Sequence, residues 1–282
     1  MNRLLIKKQA KASLKGKWGK AIGFNIVVSI LMFIIPAAVT AIAVLFADAS
    51  KVANKGSYSI DDFFAALFTG TSLILFIVAF VLSVVIIPLF AYATAKVFLK
   101  IKRGEDFTMG SAFDGFRDNP GKVFCTGALA YIIIYLAYYI PASIAGAIVG
   151  HVAPRARSVI DALWTMDHGR VKYLVENLGA QLFVASCLFV LAVFIGIIVQ
   201  YVYTMIYYVR ADDPEIGVVA ALKKSRKIMH GHKLEYFGLQ ISFIGWIVVC
   251  CVTCGIGFLW LIPYNLTANA AFFDEAKDNI IE

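Results

Sequence analysis

The feature that most constrains the fold is the arrangement of the uncharged residues. Five long stretches contain no Lys, Arg, Asp or Glu: 21–47, 63–95, 123–154, 177–209 and 236–273. A helix needs about 20 apolar residues to cross a hydrocarbon core of roughly 30 Å. The chain is 61% apolar and 16% charged, whereas soluble domains have roughly 45–50% apolar and about 25% charged residues. The sequence therefore predicts an all-α, polytopic integral membrane helix bundle.

The first four stretches each fit one spanning helix, but the fifth is too long for one. As a single helix its 38 residues would extend roughly 57 Å, nearly twice the hydrocarbon core. Gly255 and Gly257 lie near its middle and predict a break, which makes it either a hairpin of two short helices or a re-entrant pair. We therefore expect a single membrane domain over 1–282 with about six spans: 21–47, 66–95, 123–150, 180–209, 236–252 and 258–273.

The basic residues favour one orientation in the membrane. With the N-terminus in the cytoplasm, the inner segments 1–20, 96–122, 210–235 and 274–282 carry 20 of the 26 Lys and Arg residues. The outer loops carry the other 6. Inner loops of membrane proteins are enriched in Lys and Arg, so we expect both termini in the cytoplasm. The net charge of +8 is then an orientation signal, and it does not indicate nucleic-acid binding.

The inner segments resemble one another. Amphipathic helices are expected on the cytoplasmic surface over about 2–17, 108–118 and 214–230, each followed by a cluster of basic residues and glycine and then by a pair of spans. This order indicates three repeats of a surface helix plus a transmembrane hairpin. Independent basic clusters at the membrane surface would give the same pattern. On the other side, we expect 153–178 to form an amphipathic loop at the outer interface.

The third surface helix has the clearest signals. Asp213 can cap its start, Pro214 suits the first helical position, and Gly231 can end it. One face of this helix contains Val218, Leu222, Ser225 and Met229, at spacings of four, three and four. Four basic residues crowd the later turns and are candidates for contact with anionic headgroups or a partner protein: Lys223, Lys224, Arg226 and Lys227.

The spans contain no acidic residue, and ionisable groups in membrane segments are the usual functional candidates there. No metalloprotease, phosphate-loop or hydrolase motif is present, and the His and Cys spacings do not form a zinc set. We therefore expect a protein that is not an enzyme, with no catalytic residue, metal site or cofactor.

Neutral amides inside the spans are the remaining polar features. In lipid they should face other helices and hydrogen-bond there, and prolines in four of the spans can kink the helices around them. Such amides suit a polar cavity, and they suit ordinary helix packing equally well. The candidate cavity residues are Asn25, Gln200, Gln240, Asn265 and Asn269.

Several segments carry a family resemblance. Residues 14–21 and 221–233 resemble the bacterial membrane family catalogued as domain of unknown function 975, and residues 242–246, 255–264 and 270–273 carry its most specific stretches. The resemblance implies a multi-pass protein of the bacterial cytoplasmic membrane. It brings no reaction and no catalytic residues.

Two functions fit these observations. The first is a non-enzymatic protein that works in the cell envelope through contacts with the lipid bilayer and its anionic headgroups, with a membrane-protein partner, or with a second copy of the chain. The second is a transporter or exporter of a lipid-like or peptide substrate that moves through a cavity between kinked helices.

Overall fold

The computed structural model describes residues 2–46, 70–164 and 168–281. These residues form α-helices, one short 3-10 helix and connecting turns, without any strand, which confirms the all-α class. The helices are α1 Arg3–Ser13, α2 Trp18–Phe46, α3 Gly70–Arg103, the 3-10 helix Met109–Phe113, α4 Asp114–Arg117, α5 Pro120–Trp164, α6 His168–Tyr203, α7 Ile206–Asp212, α8 Val218–Met229, α9 Lys233–Ile241, α10 Ile244–Val252 and α11 Phe258–Ile281.

Several helical segments are compatible with a multi-pass membrane protein. In the described parts of the chain, four are long and apolar enough to span a membrane: Ile77–Arg103, Pro120–Gly150, Gly179–Asp212 and Lys233–Val252. A fifth is counted if α1 and the first part of α2, which bend by 94° at their junction, are taken as one span. The larger number of about six stays a prediction, because the sixth predicted span, 258–273, lies in α11, which is not among these segments.

The long fifth stretch is divided as its glycines predict. α10 ends at Val252 and α11 begins at Phe258, and between them Gly255 has a φ of 87°. This left-handed conformation is readily accessible to glycine. A second interruption at Ser242 and Phe243 separates α9 from α10. There the Lys7 ammonium donates a hydrogen bond of 2.9 Å to the Ser242 carbonyl, which gives that oxygen a partner outside the helix.

The residues expected as an outer amphipathic loop continue two long helices instead. Residues 153–164 lie in α5 and residues 168–178 lie in α6. The helical periodicity in this region is therefore real, but periodicity does not distinguish a new helix from the extension of an existing one. The expected loop 48–62 and the residues 165–167 lie outside the described residues.

The chain divides into two compact units, of which the first comprises Met1–Ala128 and Met205–Glu282. Its core forms where α1 and α2 pack on α3. Phe24 of α2 meets Phe98 of α3 edge to face, with ring centroids 6.4 Å apart, and meets Phe107 in the same way at 5.9 Å. These rings, together with Leu14 and Ile101, are buried. α7 and α11 pack against the same helix, so α3 is the centre of this unit.

The second unit, Leu129–Thr204, consists of parts of α5 and α6. Its apolar side chains are largely exposed, for example Phe183 at 70% and Tyr131 at 65%. Such exposure would be costly in water and is expected where lipid surrounds a helix. Tyr131, Tyr135 and Tyr139 stack along α5, with successive centroid distances of 6.4 and 5.1 Å.

One turn geometry recurs where each predicted surface segment meets the following helix. Gly16, Asn119 and Gly231 have positive φ angles of 79°, 54° and 84°, and α2, α5 and α9 begin one or two residues later. Glycine and asparagine are the residues that best tolerate this conformation. In the first turn of each of these helices, one buried residue donates its backbone N–H to the carbonyl four residues earlier. These residues are Ala21, Val123 and Tyr236. The three turns share a positive φ before a helix, and the division into three repeats stays a prediction.

Gly115 tests the packing of α4 on α3. A Cβ at this position would overlap the carbonyl group of Leu89, so Gly115→Ala must push the two helices apart. We expect a loss of about 1–3 kcal/mol, measured as a lower melting temperature of the purified protein in detergent. Gly121→Ala is the control, because no atom lies within 4 Å of a Cβ there. Equal melting temperatures for the two variants would contradict this packing.

Candidate functional site

Helix α8 carries the basic residues predicted to contact headgroups or a partner. Its buried face contains Ala221, Leu222, Ser225, Ile228 and Met229. Of the four residues predicted to share one face, three are therefore buried, and Val218 is half-buried. Lys223, Arg226 and Lys227 are exposed on the opposite side, as expected for an amphipathic helix.

Lys224 differs from the three other basic residues of α8. Its ammonium lies 3.8 Å from the Asp212 carboxylate, and its side chain is half-buried. The structure thus divides the predicted set of four. Three cations face outward, and the fourth takes part in an internal network.

The predicted start of this helix is wrong. α8 begins at Val218 with Gly217 as its N-cap, and no side chain caps it. Asp213 instead ends α7 in an extended conformation, and Pro214 lies in the turn that follows. The reason is tertiary, because side chains from α5 and α7 hold residues 213–217 in a turn and prevent them from forming the first turn of a helix.

The buried side chain of Arg210 is the main anchor of that turn. Its guanidinium donates hydrogen bonds of 3.2 Å to the Pro214 carbonyl and 2.9 Å to the Ile216 carbonyl. A third bond of 3.2 Å goes to Oγ1 of Thr126 on α5. A buried charge is tolerated when its donors are satisfied, and here three neutral oxygens accept from it. Arg210 therefore ties α7, α5 and the start of α8 together.

The same turn is also held by Asn119, which precedes α5, and by Lys122 in the first turn of α5. The Lys122 ammonium lies 2.8 Å from a Glu215 carboxylate oxygen, and the Asn119 side-chain amide donates to the other oxygen at 2.7 Å. The hydrogen bond from Lys122, together with its positive charge, lowers the pKa of Glu215. Glu215 is therefore ionised at neutral pH and engaged with α5.

Asp212 joins four helices of the first unit through ion pairs. Its carboxylate lies 2.9 Å from the Arg103 guanidinium and 2.7 Å from the Lys277 ammonium, in addition to its contact with Lys224. Arg103 also contacts Asp274 at 2.8 Å. The side chain of Asp212 is only 10% exposed, so its charge is used between helices α3, α7, α8 and α11.

A second ionic cluster lies at the end of the uncharged part of α3. The Lys96 ammonium pairs with Asp114 at 3.0 Å and with Asp118, and the Tyr92 hydroxyl donates to Asp118 at 2.9 Å. Burial opposes ionisation of Asp118, but the bonds from Lys96 and Tyr92 outweigh it, and the pKa of Asp118 lies below its ordinary value. This cluster attaches α4 and the residues after it to α3.

Three of the five predicted cavity amides form a closed ring. Gln240 donates to Asn269 at 2.8 Å, Asn269 donates to Asn265 at 3.1 Å, and Asn265 donates to Gln240 at 3.0 Å. Each amide therefore donates once and accepts once within the ring. The ring joins α9 to α11 and satisfies polar groups that would otherwise be costly to bury.

The other two predicted cavity residues are not part of this ring. Asn25 is half-buried on α2, and Gln200 is exposed on α6 in the second unit. The five residues thus do not form one described cluster. Among the described residues, no group of three or more His, Cys, Asp or Glu side chains is placed to hold a metal ion.

Arg210, Asp212 and Lys96 are not among the site residues predicted from the sequence. A signal was present, because Lys96 and Arg210 are each the first charged residue after a long uncharged stretch. A charge next to an apolar segment needs a partner more than a charge within a loop does. The identity of those partners depends on the tertiary structure.

The depressed pKa of Asp118 predicts a dependence of stability on pH. Ionised Asp118 stabilises the fold above its ordinary pKa of 3.8, and this contribution is lost as the pH falls through the lower folded value. We expect Asp118→Asn to lower stability by about 1.5 kcal/mol at pH 7, the order for a hydrogen bond to a charged group. The variant should also lose less stability than the parent on acidification to pH 3. Both are measured by thermal unfolding in detergent.

The control for this prediction is Asp106→Asn, because the Asp106 side chain is 96% exposed. It should melt at the parent temperature at pH 7. An Asp118→Asn protein as stable as the parent at pH 7 would contradict the role assigned to the Lys96 cluster.

Comparison with known proteins assigns the chain to a family. A family model described as Protein of unknown function (DUF975) matches residues 1–279, and the chain belongs to this family. No curated protein and no solved structure matches the chain.

Proposed function

We propose that this member of the DUF975 family is a non-enzymatic, multi-pass protein of the bacterial cytoplasmic membrane that acts through contacts with lipid or a partner protein. The observation that carries the proposal is the basic face of α8, formed by the exposed residues Lys223, Arg226 and Lys227. A helix that buries one side and presents cations on the other is suited to an anionic headgroup layer or to an acidic partner surface.

The surrounding charges support this reading, because two carboxylates in the segment before α8 are already engaged. Asp212 contacts Arg103, Lys224 and Lys277, and Glu215 contacts Lys122. These acidic groups are directed toward other helices. The basic face of α8 therefore keeps its positive charge for an external contact.

The proposed orientation places α8 and both termini in the cytoplasm. The distribution of Lys and Arg supports it, as does the anionic character of the cytoplasmic leaflet. Near such a surface each basic residue contributes about 1 kcal/mol, so three residues form a substantial but salt-sensitive attachment.

Transport is the less supported function. Of the amides proposed to face a substrate, Gln240, Asn265 and Asn269 hydrogen-bond to one another. A closed ring of this kind favours helix packing over contact with a substrate.

The proposal is tested by neutralising the basic face. The full chain, carrying Lys223→Gln, Arg226→Gln and Lys227→Gln, is extracted in polymer discs that retain native lipid, and the lipids and proteins that accompany it are quantified. We expect the parent to be enriched in anionic lipid relative to bulk membrane. In the triple variant this enrichment should be at least about fivefold lower, which corresponds to a loss of roughly 1 kcal/mol. Insertion and yield should not change.

A matched triple variant controls for total charge. Lys8→Gln, Lys15→Gln and Lys20→Gln remove the same charge from exposed positions in the N-terminal region, and this protein should keep the accompanying molecules that depend on α8. An unchanged lipid and protein composition in the α8 variant, or equal losses in both variants, would contradict the proposal.

A further inference from the structure

A cavity in the first unit gathers most of the tryptophan of the chain. Three of its four tryptophans, Trp18, Trp246 and Trp260, line a space of about 210 Å³. Tyr264, Leu261 and Lys11 complete the lining. The walls come from the end of α1, the start of α2, α10 and α11, so residues distant in sequence converge here.

Contacts that do not involve Lys11 hold α1 in place beside the cavity. Lys7 bonds to the Ser242 carbonyl at 2.9 Å and lies 4.5 Å from the centre of the Phe243 ring. The Tyr264 hydroxyl donates to the Lys7 carbonyl at 3.4 Å. The buried residues Ile6 and Ala10 pack on the inner side of the same helix. The position of α1 therefore does not depend on Lys11.

Lys11 is placed to bind an external anion. It is exposed, and in the part of the chain that the structure describes it has no ion-pair partner. α1 contains no acidic residue, and the first Asp or Glu of the chain is Asp48. A phosphate at the mouth of the cavity would consequently meet only positive charge from this helix.

The rest of the lining indicates the remainder of the ligand. Indole rings prefer the depth of the lipid headgroups, and α1 lies at 94° to the first part of α2, so α1 lies along the membrane surface if α2 crosses it. Pockets for complete small molecules are about 300–1,000 Å³, and this one is smaller. It suits one part of a lipid molecule whose other parts stay in the bilayer.

We propose that this cavity binds one anionic phospholipid, with its phosphate on the Lys11 ammonium and its glycerol and upper acyl region against Trp18, Trp246 and Trp260. The site shares no residue with the basic face of α8 and does not depend on the function proposed for that face.

Tryptophan quenching by brominated lipid tests the proposal directly. The full chain with Trp164→Phe, which leaves only the three cavity indoles, is reconstituted in phosphatidylcholine vesicles. Dibrominated phosphatidylglycerol or dibrominated phosphatidylcholine is then added at matched mole fractions. We expect dibrominated phosphatidylglycerol to reach half-maximal quenching at a mole fraction at least about fivefold lower than dibrominated phosphatidylcholine. This factor corresponds to the roughly 1 kcal/mol that one basic residue contributes near anionic lipid.

Variants on α1 assign the preference to Lys11. Lys11→Gln should abolish the preference for phosphatidylglycerol, and Lys11→Arg should retain it. Lys8→Gln removes the same charge from an exposed position on the same helix that does not line the cavity, and it should also retain the preference. Neutralising Lys223, Arg226 and Lys227 should leave the quenching unchanged, which separates this site from the basic face of α8.

Three outcomes would overturn the proposal. The first is equal quenching by the two brominated lipids in the parent. The second is a preference that Lys8→Gln removes as completely as Lys11→Gln, because this would reflect the total charge of α1. The third is relief of quenching by dissolved glycerol phosphate, which would assign the cavity to a soluble phosphoester.

Discussion

The buried guanidinium of Arg210 is the constraint on which the arrangement of this protein most depends. A cation removed from solvent needs hydrogen-bond acceptors, and each guanidinium nitrogen of Arg210 donates one bond, to the Pro214 carbonyl, the Ile216 carbonyl or the Thr126 hydroxyl. The two carbonyls belong to the turn before α8. The requirement of one buried side chain thus fixes where α8 begins and which of its faces is left for an external contact.

The same principle orders the other charges of the first unit. Asp212 and Asp118 are engaged between helices by basic side chains, whereas Lys223, Arg226 and Lys227 of α8 remain exposed. These two acidic groups are used for internal attachment, and the three exposed cations give α8 a positive face. This separation of paired carboxylates from exposed cations connects the packing of the helices with the proposed contacts to anionic lipid.

Much of the fold follows from local sequence, and much of the candidate site does not. The uncharged stretches predict the apolar helices because the bilayer imposes a length and a polarity on each span, and Gly255 marks a break because its left-handed φ is readily accessible to glycine. The start of α8 was wrongly predicted at Pro214, since Asp213 and Pro214 are good local signals that the bonds from Arg210 override. Hydrogen bonding of Gln240, Asn265 and Asn269 to other helices was predicted, but the closed ring was not, because sequence does not give their mutual distances.

Amide hydrogen exchange in Arg210→Met tests the central claim most directly. The substitution keeps an unbranched side chain but removes the donors to Pro214 and Ile216, so exchange should become faster across residues 213–217 and α8. It should stay unchanged in the second half of α11, and Arg117→Met, at an exposed arginine, should alter neither region. Parent-like exchange across 213–229 in Arg210→Met would contradict the claim that this buried charge positions the basic helix.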